Sequence, residues 1–208
     1  MTAPPHLKAL LGRYPVTAAL RDGALRSDVL HLDFADVSVP NTAFKRTVRD
    51  LEFDVSELAI VTFLMAKAYG KPLVLLPAVV LGRFQHPFLV YNPMRGPLTP
   101  AALEGRRVGV RSYSVTTVMW IRGILMHQYG VDMNKVHWVT FEDGHVAEYR
   151  DPPAVERAPT DKEMVAMLLA GELDAAVLGG PIPAGTPLAR LIPNPDDMAT
   201  QWRAATGA

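Results

Sequence analysis

The stretch VGVRSYSVTTVMWIRG, residues 108–123, joins an apolar strand to a helix through a turn carrying Arg111, Ser112, Ser114, Thr116 and Thr117. A helix N-terminus leaves backbone N–H groups without intrahelical partners and bears a partial positive charge, which makes it a ready anion site. Ser114, Thr116 and Thr117 add hydroxyl donors, and Arg111 can add a two-pronged contact to a carboxylate. The plainer reading is a threonine cap and a solvated arginine, and the turn alone leaves both open. No glycine-rich phosphate loop opens this helix, which argues against a nucleotide. Further in, Trp120 is expected to pack inward, and Gly123 in a helix interior hints at close approach of another element.

Three other stretches hold reactive side chains. In DVSE, residues 54–57, Ser56 reads as a helix N-cap, and Glu57 reads either as a first-turn carboxylate favoured by the helix dipole or as a proton donor or arginine partner. RFQH, residues 83–86, brings Arg83 and His86 just after an apolar run. EDGH, residues 142–145, holds Glu142 and His145 in what reads most simply as a turn. The six histidines show no HxH or HxxxH spacing, so no metal centre is expected. There is no GxSxG nucleophile motif either.

The elements that must position these groups alternate between strand and helix. Strands are expected at 31–37, 53–55, 73–81 (buried), 88–91, 107–111, 136–141 and 174–178. Helices are expected at 41–51, 57–69 with Ser56 as cap, 100–104, 117–129, and to Ala170 from a capping box formed by Thr160 and Glu163. Gly70, Gly130 and Gly171 read as helix stops, and residues 151–159 as a proline-rich loop. Such alternation predicts an α/β fold with largely parallel sheets, whose ligands sit beyond the carboxyl ends of the strands. The residues that follow the strands are then Ser56 and Glu57; Arg83 and His86; Arg111, Ser112, Ser114, Thr116 and Thr117; Glu142, Asp143 and His145; and Gly179 and Gly180. Gly96, Pro97 and Pro100 mark the expected boundary between a first lobe, 1–95, and a second, 96–181, with 182–208 returning to the first.

Composition limits the partners. The 208 residues hold 21 basic and 21 acidic side chains and no cysteine. That excludes disulfides and thiolate chemistry and gives no nucleic-acid or polybasic membrane surface. Half the residues are apolar, enough for a real core. The first 20 residues do not read as a signal peptide and no run is long enough to span a bilayer, so a cytoplasmic protein is expected.

Together RYPVTAALRDG, FDVSE, LGRF, LEGRRVGVRSYSVTTVMWIRG and TQWRAATGA resemble 4,5-dihydroxyphthalate decarboxylase and its relatives, along nearly the whole chain. The resemblance implies an α/β, two-lobed type II periplasmic-binding-protein-like fold with a ligand cleft between the lobes. It implies non-oxidative decarboxylation of a hydroxylated aromatic carboxylate, with no cofactor. In that scheme Arg83, Arg111 and the 114–117 turn clamp the carboxylates, Ser112, Glu142, His145 and Gly180 line the site, and Glu57 or His86 supplies the proton. Relatives continue well past a tryptophan–arginine–threonine–glycine tail, whereas this sequence stops at Ala208, soon after Trp202 and Arg203; either it is a shortened relative or the sequence is truncated, and a missing segment is expected to expose part of the first lobe, promote a homo-oligomer or remove catalytic groups. The alternative is a solute-binding-like protein that holds a small organic or aromatic anion without chemistry, because one scaffold hosts both activities.

Overall fold

The computed structural model describes residues 3–207, and its contacts divide them into two compact α/β units. The first comprises the residues up to Gly82 together with His145–Glu148, and the second comprises Arg83–Gly144 and the residues from Tyr149 onward. The first unit is built on a three-stranded parallel sheet. β1 (His6–Leu10) lies between β2 (His31–Phe34) and β3 (Val55–Ser56). A single-turn helix, α1 (Ala18–Arg21), leads from β1 towards β2. Leu10, Ala43, Phe44 and Phe53 form the core. Residues 40–51 are helical as expected but irregular. A 3-10 turn, Pro40–Ala43, passes into a π turn, Arg46–Asp50, which closes on Leu51 in the left-handed region.

Two expectations fail in this unit. Ser56 does not cap a helix. It ends β3, with its hydroxyl on the Glu57 carbonyl, and α2 (Ile60–Ala68) begins four residues later behind Ala59. The buried strand at 73–81 is absent: Val74, Leu75, Leu76, Val79 and Leu81 are exposed. Leu73 N–H turns back to Lys71 and Ala78 N–H to Leu76. Pro72 and Pro77 have no N–H to give a ladder, so apolar composition alone did not make a strand here.

The second unit is a six-stranded sheet. Its strands in chain order are β4 (Leu89–Tyr91), β5 (Arg107–Val110), β6 (His137–Thr140), β7 (Glu156–Arg157), β8 (Ala175–Val177) and β9 (Ala189–Arg190). The spatial order is β7-β6-β5-β8-β4-β9. β5, β6, β7 and β8 run parallel, and β4 is antiparallel to both β8 and β9. Three helices cover it: α3 (Thr116–Tyr129), α4 (Met164–Ala170) and α5 (Pro195–Thr206). Val118, Ile121, Ile124 and Leu125 of α3 share one face and pack on Val108, Val110, Ala175 and Val177 of the sheet. The expected boundary at Gly96 is displaced to Gly82 because β4 hydrogen-bonds into this sheet. For the same reason 182–208 belongs to the second unit: β9 pairs with β4, and α5 packs on the turn at His86–Phe88.

Local signals fail here too. Thr160 and Glu163 form no capping box; α4 begins at Met164, and Glu163 at its N-cap makes no side-chain capping hydrogen bond. Gly123 has open space where a Cβ would stand, so it marks no close approach. Gly109 does. On β5, between β6 and β8, an added Cβ would lie 2.6 Å from Leu173 Cδ1 and 3.1 Å from Met164 Cγ. Overpacking of this kind costs about 1–3 kcal/mol, so Gly109→Val lowers the melting temperature by about 2–12 °C. An unchanged thermal midpoint would remove the close packing of α4 on β5 from this description.

Candidate functional site

In the second unit the sheet itself selects a place for ligands. From β5 the chain passes through α3 to β6 on one side. From β7 it returns through α4 to β8 on the other side of β5. The strand order therefore reverses beside β5 and β8, and crevices in α/β sheets open outside the carboxyl ends of strands at such a point. The register aligns Val110 with Thr140 and with Val177, so Arg111, Phe141 and Leu178 begin the three loops at this edge. β4 enters the same edge from the opposite direction, with Leu178 N–H on the Phe88 carbonyl.

The turn after β5 is firmly built. The Arg111 carbonyl accepts from Phe141 N–H and Glu142 N–H, at 3.1 and 2.7 Å, which ties it to the β6 loop. The Arg111 guanidinium lies 3.8 Å from Glu142 Oε2, with both side chains part-exposed. Ser112 and Ser114 are buried, with their hydroxyls 3.4 Å apart. α3 starts behind Val115, which has no side-chain oxygen to cap it. The amino end of α3 therefore lies at the turn that carries Ser114, Thr116 and Thr117. Across the edge, Arg83 donates to the Gly179 carbonyl at 2.9 Å and stacks 4.1 Å from the Phe88 ring centre. Lost hydration there draws its pKa below the usual guanidinium value. Gly179 and Gly180 have open space where a side chain would stand. Arg83, Arg111, Ser112, Ser114, Thr116, Thr117, Glu142 and Gly180 thus lie on one sheet edge.

His86 lies away from this edge, and Glu57 and His145 belong to the first unit. His86 is buried, and its Nε2 lies 3.0 Å from Gln128 Oε1. Gln128 is twelve residues beyond Thr116 on α3, about 18 Å along the helix. The His86 ring packs edge-on to Trp202, its Nδ1 has no partner, and burial lowers its pKa. Glu57 lies in the first unit. Its Oε2 accepts from Gly12 N–H at 2.6 Å and its Oε1 from the Tyr14 hydroxyl at 2.7 Å. Burial, then Glu57 itself, pushes the Tyr14 hydroxyl up to about 12. Glu57 therefore fastens the loop after β1 to the end of β3. His145 is buried in the same unit, with Nδ1 2.7 Å from Thr62 Oγ1, its carbonyl on Arg49 Nε, and its ring edge-on to Phe44.

The structure adds a polar cluster that the sequence reading passed over as loop. The Tyr149 and Thr140 side chains stand beside the Asp151 carboxyl group, whose Oδ1 is buried without a hydrogen-bond partner, and the Thr140 hydroxyl donates to the Glu156 carbonyl at 3.3 Å. Burial pushes Asp151 above the ordinary carboxyl value, and Asp143 adds to that. The two hydroxyls and Arg157 pull the other way. Tyr149 is pushed up to about 12, first by burial and then by the Asp151 charge. Arg122 places its guanidinium carbon 3.9 Å from the Tyr113 ring centre and buries Nε, while Trp120 is 39% exposed. Trp120, expected to pack inward, is thus exposed. Gly144 connects the cluster to the turn, because a Cβ there would stand 2.8 Å from Ser114 Oγ and 3.1 Å from Tyr149 Cδ1. A weak signal was present in YRD, residues 149–151, an acid and a phenol two apart beside the EDGH turn.

No protein-family model matches the chain. It is 27% identical over 216 residues to a 4,5-dihydroxyphthalate decarboxylase of Comamonas testosteroni, aligned over 95% of this chain and 63% of that protein. It is 29% identical over 210 residues to a 4,5-dihydroxyphthalate decarboxylase of Pseudomonas putida, over 95% of this chain and 81% of that protein. The chain therefore spans less than two thirds of the Comamonas protein's length. Among solved structures it matches the periplasmic aliphatic sulphonate binding protein SsuA of Escherichia coli. The TM-score is 0.62 at 14% identity, covering 97% of this chain and 68% of the other. The chain has the two-lobed fold of the periplasmic solute-binding proteins and is similar, over nearly its whole length, to 4,5-dihydroxyphthalate decarboxylases.

Proposed function

We propose that the chain catalyses non-oxidative decarboxylation of a hydroxylated aromatic carboxylate of the 4,5-dihydroxyphthalate type. The observation that carries this reading is the similarity to two decarboxylases of that name over 95% of the chain. The geometry of the second unit supports it. Arg111 and the first-turn N–H groups of α3 meet at one sheet edge, where they suit a carboxylate. Arg83 gives that edge a second cation.

The chemistry follows from the substrate. A ring hydroxyl para to the departing carboxylate pushes electron density onto the carbon that bears it. That carbon takes a proton and becomes tetrahedral. The bond to the carboxylate then breaks, its electron pair returns to the ring, carbon dioxide leaves and aromaticity is restored. One proton is consumed for each carbon dioxide released, and nothing is oxidised or reduced. Arg111 and the α3 N-terminus hold the carboxylates, and the buried hydroxyls of Ser112 and Ser114 fix their orientation.

We assign the proton to the Tyr149–Asp151 pair, in preference to Glu57 or His86. Protonated Asp151 gives its proton to the Tyr149 oxygen as the Tyr149 hydroxyl delivers its own to the ring carbon, and solvent then reprotonates Asp151. Burial that favours the neutral carboxyl suits a general acid near neutral pH.

The test is incubation of the protein with 4,5-dihydroxyphthalate in deuterium oxide, read by mass spectrometry. Protocatechuate carrying one deuterium on the vacated carbon is the expected product. Intact substrate after incubation with a folded sample sinks the reading. If calorimetry still shows tight binding of the intact acid, the chain is a solute-binding protein instead.

A further inference from the structure

Parallel pairing of β1 and β2 brings together two histidines that lie 25 positions apart in the sequence. His6 is in register with His31, and Lys8 with Asp33. Side chains alternate along a strand, so His31 and Asp33 share one face of β2, and His6 stands beside them on the same face of β1. All three are exposed. His6 Nδ1 is 3.0 Å from Asp33 Oδ2, and His31 Nε2 is 3.5 Å from Asp33 Oδ1. The two imidazole rings lie 4.6 Å apart, centre to centre. One ligand atom from each residue falls within 4.8 Å of the others.

Two imidazoles converging on the two oxygens of one carboxylate leave a point between them that a cation can occupy in place of the shared proton. The nearby cation does not compete for it. Lys8, opposite Asp33, carries its ammonium to Glu52 Oε1 at 2.7 Å and over the Phe53 ring. The ligand backbones belong to a hydrogen-bonded sheet, so only side-chain torsions need to change to reach metal–nitrogen and metal–oxygen distances of about 2.0–2.2 Å.

We propose that His6, His31 and Asp33 form a surface site for one divalent transition-metal ion, of the zinc, cobalt or nickel class. Imidazole nitrogens select these ions over magnesium and calcium, which take all-oxygen shells. Three protein ligands leave the remaining coordination positions to water. The site lies at the amino ends of β1 and β2, in the first unit, and the inference is independent of the proposed decarboxylation.

The test is calorimetry of the full chain with zinc chloride, alongside cobalt chloride followed by visible absorption. One zinc per chain is expected, with no heat from magnesium chloride under the same conditions. His6→Ala, His31→Ala and Asp33→Asn should each weaken zinc binding by at least ~10-fold. His137→Ala, which removes an exposed histidine of the second unit, should leave it unchanged. The three ligand residues are exposed, and circular dichroism checks that each variant stays folded. His6→Gln, which keeps the side chain's bulk and polarity, should weaken binding as His6→Ala does. No zinc binding by the wild type up to millimolar concentration overturns the proposal. So does binding that survives all three ligand substitutions.

Discussion

Asp151→Asn lowers kcat for the proposed decarboxylation by about 10²–10⁴-fold, the usual range for loss of a positioned general acid. Binding of the intact aromatic acid changes little, because the carboxylate-holding cations of the proposal are Arg111 and Arg83, and Asp151 lies beside Tyr149 and Thr140 instead. Stability should move the other way. A carboxyl group whose folded pKa is raised binds its proton more tightly in the native state than in the unfolded chain. Stability is then lost as pH rises from the unfolded value through the folded one. At neutral pH wild-type Asp151 therefore weighs against folding, and the uncharged asparagine relieves it. The variant is expected to melt no lower than the wild type at pH 7 while losing turnover. A residue kept for structure would lose both together. The pH profile gives a second readout. The acid form is the active one, so wild-type kcat/KM falls as pH rises through the raised pKa, and Tyr149→Phe, which breaks the relay but keeps the ring, should also lose turnover. Wild-type turnover in Asp151→Asn would return the proton to another donor and leave the decarboxylase reading standing.

The contrast between what the sequence shows and what it hides follows from the range of the interactions. Strand-to-helix alternation and the glycine stops at Gly70, Gly130 and Gly171 are local patterns, and each holds in the structure. So does the strand-to-helix turn from Arg111 to Thr117, which needs only a strand end and a helix start. The failures lie where partners come from afar. Residues 73–81 have strand composition, but Pro72 and Pro77 interrupt the donors and no strand pairs with them. β1, β7 and β9 gain their identity from pairing, β1 with β2 and β3, β7 with β6 and β9 with β4, and no local pattern announces them. Ser56 and Thr160 have good cap chemistry, yet sheet pairing and loop geometry start the following helices elsewhere. The same limit explains the site. His86 and Glu57 follow strand-like stretches in sequence, yet one is buried beside the far end of α3 and the other anchors the loop after β1. Tyr149 and Asp151 gain their environment from Thr140 on β6 and Arg157 on β7, which only the folded sheet supplies. Likewise no sequence spacing links His6 to His31; the register does.

Arg111→Ala is the substitution expected to cost most in binding. Its backbone carbonyl ties the β5 turn to the β6 loop through two hydrogen bonds, so the turn should survive truncation. The side chain's ion pair with Glu142 is 3.8 Å long and part-exposed, and such pairs contribute only about 0–1 kcal/mol. The melting temperature should therefore move little. A hydrogen bond to a charged group contributes about 1.5–3 kcal/mol, and 1.4 kcal/mol is tenfold in affinity, so loss of the guanidinium weakens binding of an aromatic dicarboxylate by about 10–150-fold. Phthalate, which lacks the activating hydroxyls, allows this to be measured by calorimetry without turnover. Arg111→Lys should recover only part of the loss, since an ammonium is a point charge and cannot reproduce a planar two-pronged contact. If the arginine acts only on the carboxylate, a neutral catechol without carboxylates binds wild type and Arg111→Ala alike. Equal phthalate affinity in wild type and Arg111→Ala would place the carboxylate elsewhere. The Arg83 side, where the guanidinium spans Phe88 and the Gly179 carbonyl, is then the next residue to truncate.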